Sequence, residues 1–113
     1  MDCVFCKIVA GEIPADILYQ DKGIIAFRDI NPMAPTHLLI IPRKHIPSLA
    51  HLSEAESSMI GGMVNTANQL AEREGISGSG YRLVINCGEE GGQAVAHLHM
   101  HLLGGRQLSA ALG

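Results

Sequence analysis

Tryptophan is absent from this 113-residue chain, and only two tyrosines and two phenylalanines are present. A surface that stacks single-stranded bases needs a row of aromatic rings, so that class of function is excluded. Charge is also sparse: 17% of residues are charged, eight basic against eleven acidic, for a net charge of −3. The largest basic cluster is Arg43-Lys44. Electrostatic capture of nucleic acid therefore has no footprint here, and an anionic ligand would have to be held by backbone N–H groups and histidines. No run of 18 apolar residues occurs, which excludes a membrane-spanning helix. The stretch Met1-Asp2-Cys3-Val4-Phe5-Cys6-Lys7 lacks the basic segment and apolar core of a signal peptide. The expected setting is the cytoplasm, with neither membrane nor nucleic acid as partner. Three cysteines are an odd number. In a reducing compartment Cys3-x-x-Cys6 reads as metal ligation or redox chemistry rather than a structural disulfide.

Histidine is what the chain has in excess. Of six histidines, three fall at alternate positions, His97, His99 and His101, with Leu98, Met100 and Leu102 interleaved. That period of two predicts a strand carrying three imidazoles on one face, about 6.6 Å apart, and apolar side chains on the other. Gly91-Gly92 leads in and Gly104-Gly105 leads out.

The length fits one domain. Cys3 to Ala10 has near-helical apolar spacing and stops at Gly11, which predicts a short helix. Ile17-Leu18-Tyr19-Gln20 and Ile24-Ile25-Ala26-Phe27-Arg28 flank Asp21-Lys22-Gly23 and predict a hairpin. Pro32 and Pro35 make residues 29–35 a loop. His37 to Pro42 is nearly all apolar, the pattern of a central strand covered on both faces. Ser53 with Glu56 forms a capping box. A helical apolar stripe runs on from Met59 through Leu70 and Ala71 to a stop at Gly75, predicting one helix of about 22 residues. Gly61-Gly62 inside it implies close backbone approach, subunit packing or tolerated strain. Met59 and Met63 belong to the core. His51 is a surface residue ahead of the helix. Tyr81 to Asn86 predicts a strand that leads through Cys87 and a glycine-rich turn into the histidine strand.

Three readings of the histidine row follow from its chemistry. It is a set of packed histidines, a three-histidine metal site, or a catalytic row. In the last case one imidazole attacks phosphorus or an acyl carbon, while its neighbours orient the anion and move protons. The turn Gly91-Gly92-Gln93 could cradle a phosphate with its N–H groups. Cys3 and Cys6 have metal-ligand spacing, and zinc would need two more ligands from among His37, His45, His51 and the row.

Taken together, these stretches resemble one family. His97-Leu98-His99-Met100-His101-Leu102-Leu103 has the pattern His-φ-His-φ-His-φ-φ. It is accompanied, in order, by Phe5-Cys6-Lys7-Ile8 through Ile13-Pro14, Ala26 through Pro42, and Val84-Ile85-Asn86. The chain resembles the histidine triad (HIT) superfamily over nearly its whole length, as a single domain spanning 1–113. Leu103-Gly104-Gly105-Arg106 is similar to the HINT branch rather than the Fhit branch.

The resemblance implies an α+β fold, an antiparallel five-stranded sheet with one long helix and a short N-terminal helix. It implies a homodimer that binds purine nucleoside monophosphates and hydrolyses nucleoside 5′-phosphoramidates through a nucleotidyl-histidine intermediate. His99 matches the nucleophile, and His101 and His37 match supporting active-site histidines. Asn86 and the Gly92-Gln93 backbone match phosphate-side positions, with Ala94 beside them. Asp29 matches the ribose-binding acid, and Phe5, Ile8, Ile30 and Leu39 match walls of the base pocket. Cys3, Cys6, His45 and His97 match a structural zinc site, while the chemistry itself calls for no metal. Dinucleoside polyphosphate hydrolysis and a regulatory nucleotide-binding module are the alternative functions. One departure stands out: Ala94 occupies a position where the branch often has Ser or Thr. A missing neutral hydrogen bond costs about 0.5–1.5 kcal/mol, which implies weaker or differently selective catalysis rather than none. Cys87 has no partner in this scheme.

Overall fold

Cys3 opens the described part of the chain as the N-cap of a six-residue helix, α1 (Val4–Val9). The computed structural model describes residues 3–113. The Cys6 N–H donates to Cys3 Sγ at 3.3 Å, so the sulfur satisfies a helix-start donor. Gly11, at φ 76°, ends the helix as the sequence predicts.

The hairpin follows: β1 (Ile17–Gln20) pairs antiparallel with β2 (Ile24–Arg28). Asp21 Oδ1 accepts from the N–H groups of Gly23 and Ile24, each at 2.8 Å, and shapes the turn. β2 pairs with β3 (Thr36–Pro42), β3 with β5 (Met100–Gly104), and β5 with β4 (Tyr81–Val84). The result is a five-stranded antiparallel sheet in the order β1-β2-β3-β5-β4.

Every residue of β3 is buried, because both faces of the sheet are covered. Leu38 and Ile40 join Ala26, Met100 and Leu102 against the long helix, α2 (Ser58–Arg73), through Met63, Ala67, Leu70 and Ala71. Leu39 and Ile41 point the other way and pack with Ile25, Phe27 and α1 through Phe5 and Ile8. The rings of His97 and His99 lie against this second, thinner layer, at Phe5.

Four local readings need correction. The long helix is 16 residues, about 24 Å, not about 22 residues. The Ser53–Glu56 pair is formed, but it caps a 3₁₀ turn, Glu54–Glu56, that ends before α2 begins. Ser57 Oγ donates to the Glu54 carbonyl and closes that turn locally; serine hydroxyls compete with helix propagation in this way. Lys44 Nζ lies 2.5 Å from Glu56 Oε2. With the two Ser53 hydrogen bonds, this contact pulls the Glu56 carboxyl down to about 2, the lysine contributing most.

The third correction concerns the histidine row. It is not one continuous strand: β5 starts at Met100. His97 sits in a bend, where its N–H donates to Val95 O at 2.8 Å and the Leu98 N–H donates to Ile46 O at 2.7 Å. Met100 and Leu102 pack against α2 as the alternation requires, but His97 and His99 are buried like Leu98, so burial does not alternate along the row. β4 is also shorter than the sequence pattern, ending at Val84.

Gly62 packs against Ile24, where an added Cβ would come within 3.3 Å of Ile24 Cδ1, whereas Gly61 faces open space. Gly62 is thus explained by close approach to β2; within the described residues nothing accounts for Gly61.

The core and the loop surface should respond differently to truncation. Leu38→Ala, at a fully buried position, is expected to cost about 2–5 kcal/mol. Ile30→Ala, at a position 90% exposed, should stay within about 0.5 kcal/mol. Urea unfolding checks both.

Candidate active site

The site is built from the end of β3, the start of β5, α1 and the loop before β3. Two clusters of titratable side chains meet there.

The first comprises Cys3, Cys6, His45 and His97, whose ligand atoms all lie within 4.8 Å of one another. Cys3 Sγ is 3.3 Å from His97 Nδ1, and Cys6 Sγ is 3.3 Å from His45 Nδ1 and 3.6 Å from His97 Nδ1. The two Nδ1 atoms are 3.2 Å apart. Around a tetrahedral zinc, with bonds of about 2.3 Å to sulfur and about 2.0–2.1 Å to nitrogen, neighbouring ligand atoms fall roughly 3.3–3.8 Å apart. The donor set and its spacing therefore fit a four-coordinate metal.

Hydrogen placement agrees. His97 Nε2 is 2.8 Å from the Pro42 carbonyl, which can only accept. The hydrogen is therefore on Nε2, and Nδ1 presents its lone pair to the cysteines. An imidazole oriented through its far nitrogen is the usual second shell of a metal ligand. Burial holds His97 below its ordinary pKa, against the Pro42 hydrogen bond, which keeps the ring neutral. Burial, then the adjacent Cys3, pushes the Cys6 thiol up. A divalent cation reverses that sign, because a coordinating thiol is deprotonated.

The second cluster is Asp29, His37 and His101. Here backbone groups again fix the rings. The Met33 N–H donates to His37 Nδ1 at 3.0 Å. His37 Nε2 thus carries the hydrogen and donates to His101 Nδ1 at 2.9 Å. His101 in turn keeps its hydrogen on Nε2. Asp29 Oδ2 is 3.4 Å from His37 Nε2, while Asp29 Oδ1 accepts the Asn31 N–H at 2.8 Å. Burial lowers the His37 pKa, opposed by Asp29. Burial, followed by His99 and His37, pushes His101 down to about 4.

His99 lies between the clusters. Its Nδ1 is 2.7 Å from the His97 carbonyl. A carbonyl only accepts, so Nδ1 bears the hydrogen and Nε2 is bare in the neutral ring. Phe5 meets the His99 ring edge to face at 5.2 Å and the His97 ring at 5.8 Å. The His99 and His101 ring centroids are 5.0 Å apart.

Other positions singled out in the sequence are placed less simply. Phe5, Ile8 and Leu39 lie together in the core beside the histidines, but Ile30 stands apart from them in solvent. The expected phosphate cradle is already committed: the Gly92 N–H donates to Glu89 O and the Gln93 N–H to Gly88 O, each at 3.0 Å. Asn86 Nδ2 donates to Gly91 O at 2.8 Å. The Gln93 side chain accepts from the Gly88 N–H and donates to the carbonyls of Pro47 and Val95. These residues hold the turn in shape. The next N–H groups, of Ala94, Val95 and Ala96, donate to no group among the described residues. Ala94 and Ala96 line a surface depression with Gly88, Glu89, Gly92 and Gln93. Cys87 is half-buried, and exposed His51 is joined to Ser48 at 2.7 Å.

This arrangement, on this sheet, is that of a histidine triad protein. The chain belongs to the HIT family: the HIT domain model matches residues 10–108. It is 50% identical over 111 residues to the purine nucleoside phosphoramidase of Escherichia coli strain K12, covering 98% of this chain and 93% of that protein. It superposes on a HIT family hydrolase from Legionella pneumophila Philadelphia 1 with a TM-score of 0.96 at 52% identity, covering 99% and 100% of the two chains. A Zn-bound histidine triad family protein from Mycobacterium smegmatis gives a TM-score of 0.81 at 31% identity, covering 94% of this chain and 76% of that one. Among the described residues no helix is long and apolar enough to cross a membrane.

The depressed histidines set a pH dependence. An unfolded histidine takes up its proton below about pH 6.5, whereas folded His101 resists protonation down to about 4. Folding stability should be flat above about pH 6.5 and decline as the pH falls toward about 4, because the unfolded chain then binds more protons. His37 and His97 shift in the same direction. In His101→Asn the decline between about pH 7 and about pH 5 should be shallower, as read by urea unfolding.

Proposed function

We propose that the chain, acting as one HIT domain over 1–113, hydrolyses purine nucleoside 5′-phosphoramidates, with His99 as nucleophile. The observation that carries this reading is the His99 Nδ1–H···O=C bond to His97, which leaves Nε2 bare and fixes the ring that bears it. The half-identity to a purine nucleoside phosphoramidase across nearly the whole of both chains supports the same substrate class.

In the proposed cycle His99 Nε2 attacks phosphorus. The P–N bond breaks, a proton reaches the departing amine, and nucleotidyl-histidine remains. Water then cleaves the P–N bond to His99 and releases the nucleoside monophosphate. His101 offers its Nε2–H to the phosphoryl group or the leaving nitrogen, and His37 keeps that hydrogen in place. The uncommitted N–H groups of Ala94, Val95 and Ala96 take over the phosphate role that the sequence assigned to Gly92 and Gln93. Asp29 accepts from the ribose hydroxyls through Oδ2, its freer oxygen. The base lies against Phe5, Ile8 and Leu39, with Ile30 as an apolar flap. A large apolar side chain left in solvent beside a polar site suits a ligand that covers it.

The Cys3, Cys6, His45 and His97 cluster holds zinc in this reading. The metal is structural, binding α1 to the segment that carries His99. A cytoplasmic setting would keep the two thiols reduced. β4 lies at a sheet edge with an unpaired ladder, and sheet extension through that edge is the proposed route to a homodimer.

Turnover of an adenosine phosphoramidate, beside an adenosine dinucleotide as the competing substrate, tests the function. His99→Ala should lower phosphoramidate turnover by roughly 10³-fold or more and leave binding of adenosine monophosphate in place. Retained turnover would remove His99 from the role. Elemental analysis of protein prepared without chelators should find about one zinc per chain, and Cys6→Ala should reduce it sharply. Well under one in the parent protein would rule out the zinc assignment.

A further inference from the structure

The turn that follows β5 grips the loop that precedes β3. Gly105 has φ 93°, and a Cβ there would fall 2.9 Å from Pro35 Cβ, so the two backbones meet closely. Directly after it, Arg106 Nη2 donates to the Met33 carbonyl at 2.9 Å. The N–H of that same residue donates to His37 Nδ1 at 3.0 Å. Met33 is therefore held on both sides of its Cα, by Arg106 and by His37.

Little else holds it. Met33 is 72% exposed, so packing does not fix the residue. Pro32 and Pro35 keep the loop out of any ladder. Its other hydrogen bonds involve Asp29, through the Asn31 N–H and the bond from the Asp29 N–H to His37 O.

We propose that Arg106 is a positioning residue for the reaction. By holding the Met33 carbonyl it keeps the Met33 N–H on His37 Nδ1, which keeps the hydrogen of His37 on Nε2 and that of His101 on its own Nε2. If Met33 lets go, His37 Nδ1 faces no donor. The neutral ring can then carry its hydrogen on Nδ1 and turn a bare Nε2 toward His101. His101 answers by placing its hydrogen on Nδ1, and its Nε2 is left with nothing to donate. No proton is gained or lost; only its position changes. Asp29 Oδ2, at 3.4 Å, also favours the working tautomer, but substrate draws Asp29 to the ribose in the reading above. The Arg106 contact persists once substrate is bound.

This rests on the phosphoramidase reading, with His101 as hydrogen donor. The test uses Arg106→Met, which removes every side-chain donor, Arg106→Lys and, as a matched control, Arg73→Met. Arg73 also donates to a backbone carbonyl, that of Leu18 at 3.3 Å, on another part of the surface. Kinetics use an adenosine phosphoramidate, and the imidazole nitrogens of His37 and His101 are followed by ¹⁵N-detected NMR in the resting protein. Arg106→Met should lower kcat about 3- to 10-fold, move KM less than about 2-fold, and turn His37 into a mixture of tautomers. Arg106→Lys, which can still donate, should recover kcat to within about 2-fold. Arg73→Met should match the parent. An unchanged kcat, an effect confined to KM, or a loss of kcat with an unchanged His37 spectrum would each overturn the proposal. If the parent itself turns over no phosphoramidate, the functional reading falls, and the His37 spectrum of Arg106→Met still decides whether Arg106 sets the tautomer.

Discussion

Every polar group of His97 is committed, and the rest of the site is arranged around it. Its Nδ1 faces two sulfurs and a second imidazole. Its Nε2–H is bound by Pro42 at the end of β3. Its backbone N–H closes a bend on Val95, and its carbonyl receives the Nδ1–H of His99. The residue is completely buried, with Phe5 against its ring. It cannot rotate without breaking hydrogen bonds that, once buried and unmade, each cost about 1–3 kcal/mol. The cluster of sulfur and nitrogen ligands and the orientation of His99 are thus two ends of one residue.

The site also shows how several imidazoles are held in fixed orientations in a chain with little basic charge. Orientation comes from backbone groups: Pro42 O for His97, His97 O for His99, and Met33 N–H for His37. The first two are set by chain path, and at the third the Met33 carbonyl also accepts from Arg106. Burial then holds His37, His97 and His101 neutral, His101 down to about 4. A neutral imidazole can donate with one nitrogen and accept with the other, and His37 passes such a fixed sense of donation to His101.

Much of this was legible locally. The hairpin, the fully buried β3 and the glycine stops at Gly11 and Gly75 are signals carried within a few residues, and the structure reproduces them. The start of β5 was not legible, because the bend at His97 depends on Ile46, a residue distant in sequence. The true start of α2 was hidden by a capping box that is real but caps a 3₁₀ turn. Gly91-Gly92-Gln93 reads as an anion cradle, yet the acceptors that occupy its N–H groups become visible only when the turn is closed. Ile30 was readable as apolar but not as exposed. The pairing of Met33 with Arg106 spans 73 residues and leaves no mark on either local sequence.

The amino-terminal segment deserves a different expectation from the ends of most domains. Ends are ordinarily where a fold tolerates trimming and tagging. Here Cys3 caps the helix and Phe5 backs two imidazoles. Cys6 faces His45, and the whole of α1 is six residues long, too short to stand as a helix by itself. Its order comes from what it touches. Loss of residues as far as Cys6 would take away two sulfurs, one wall of the site and the cover over one side of the sheet together. The carboxy-terminal side differs in degree: beyond Arg106 most residues are exposed. A fusion partner or affinity tag therefore belongs at the carboxy-terminal end.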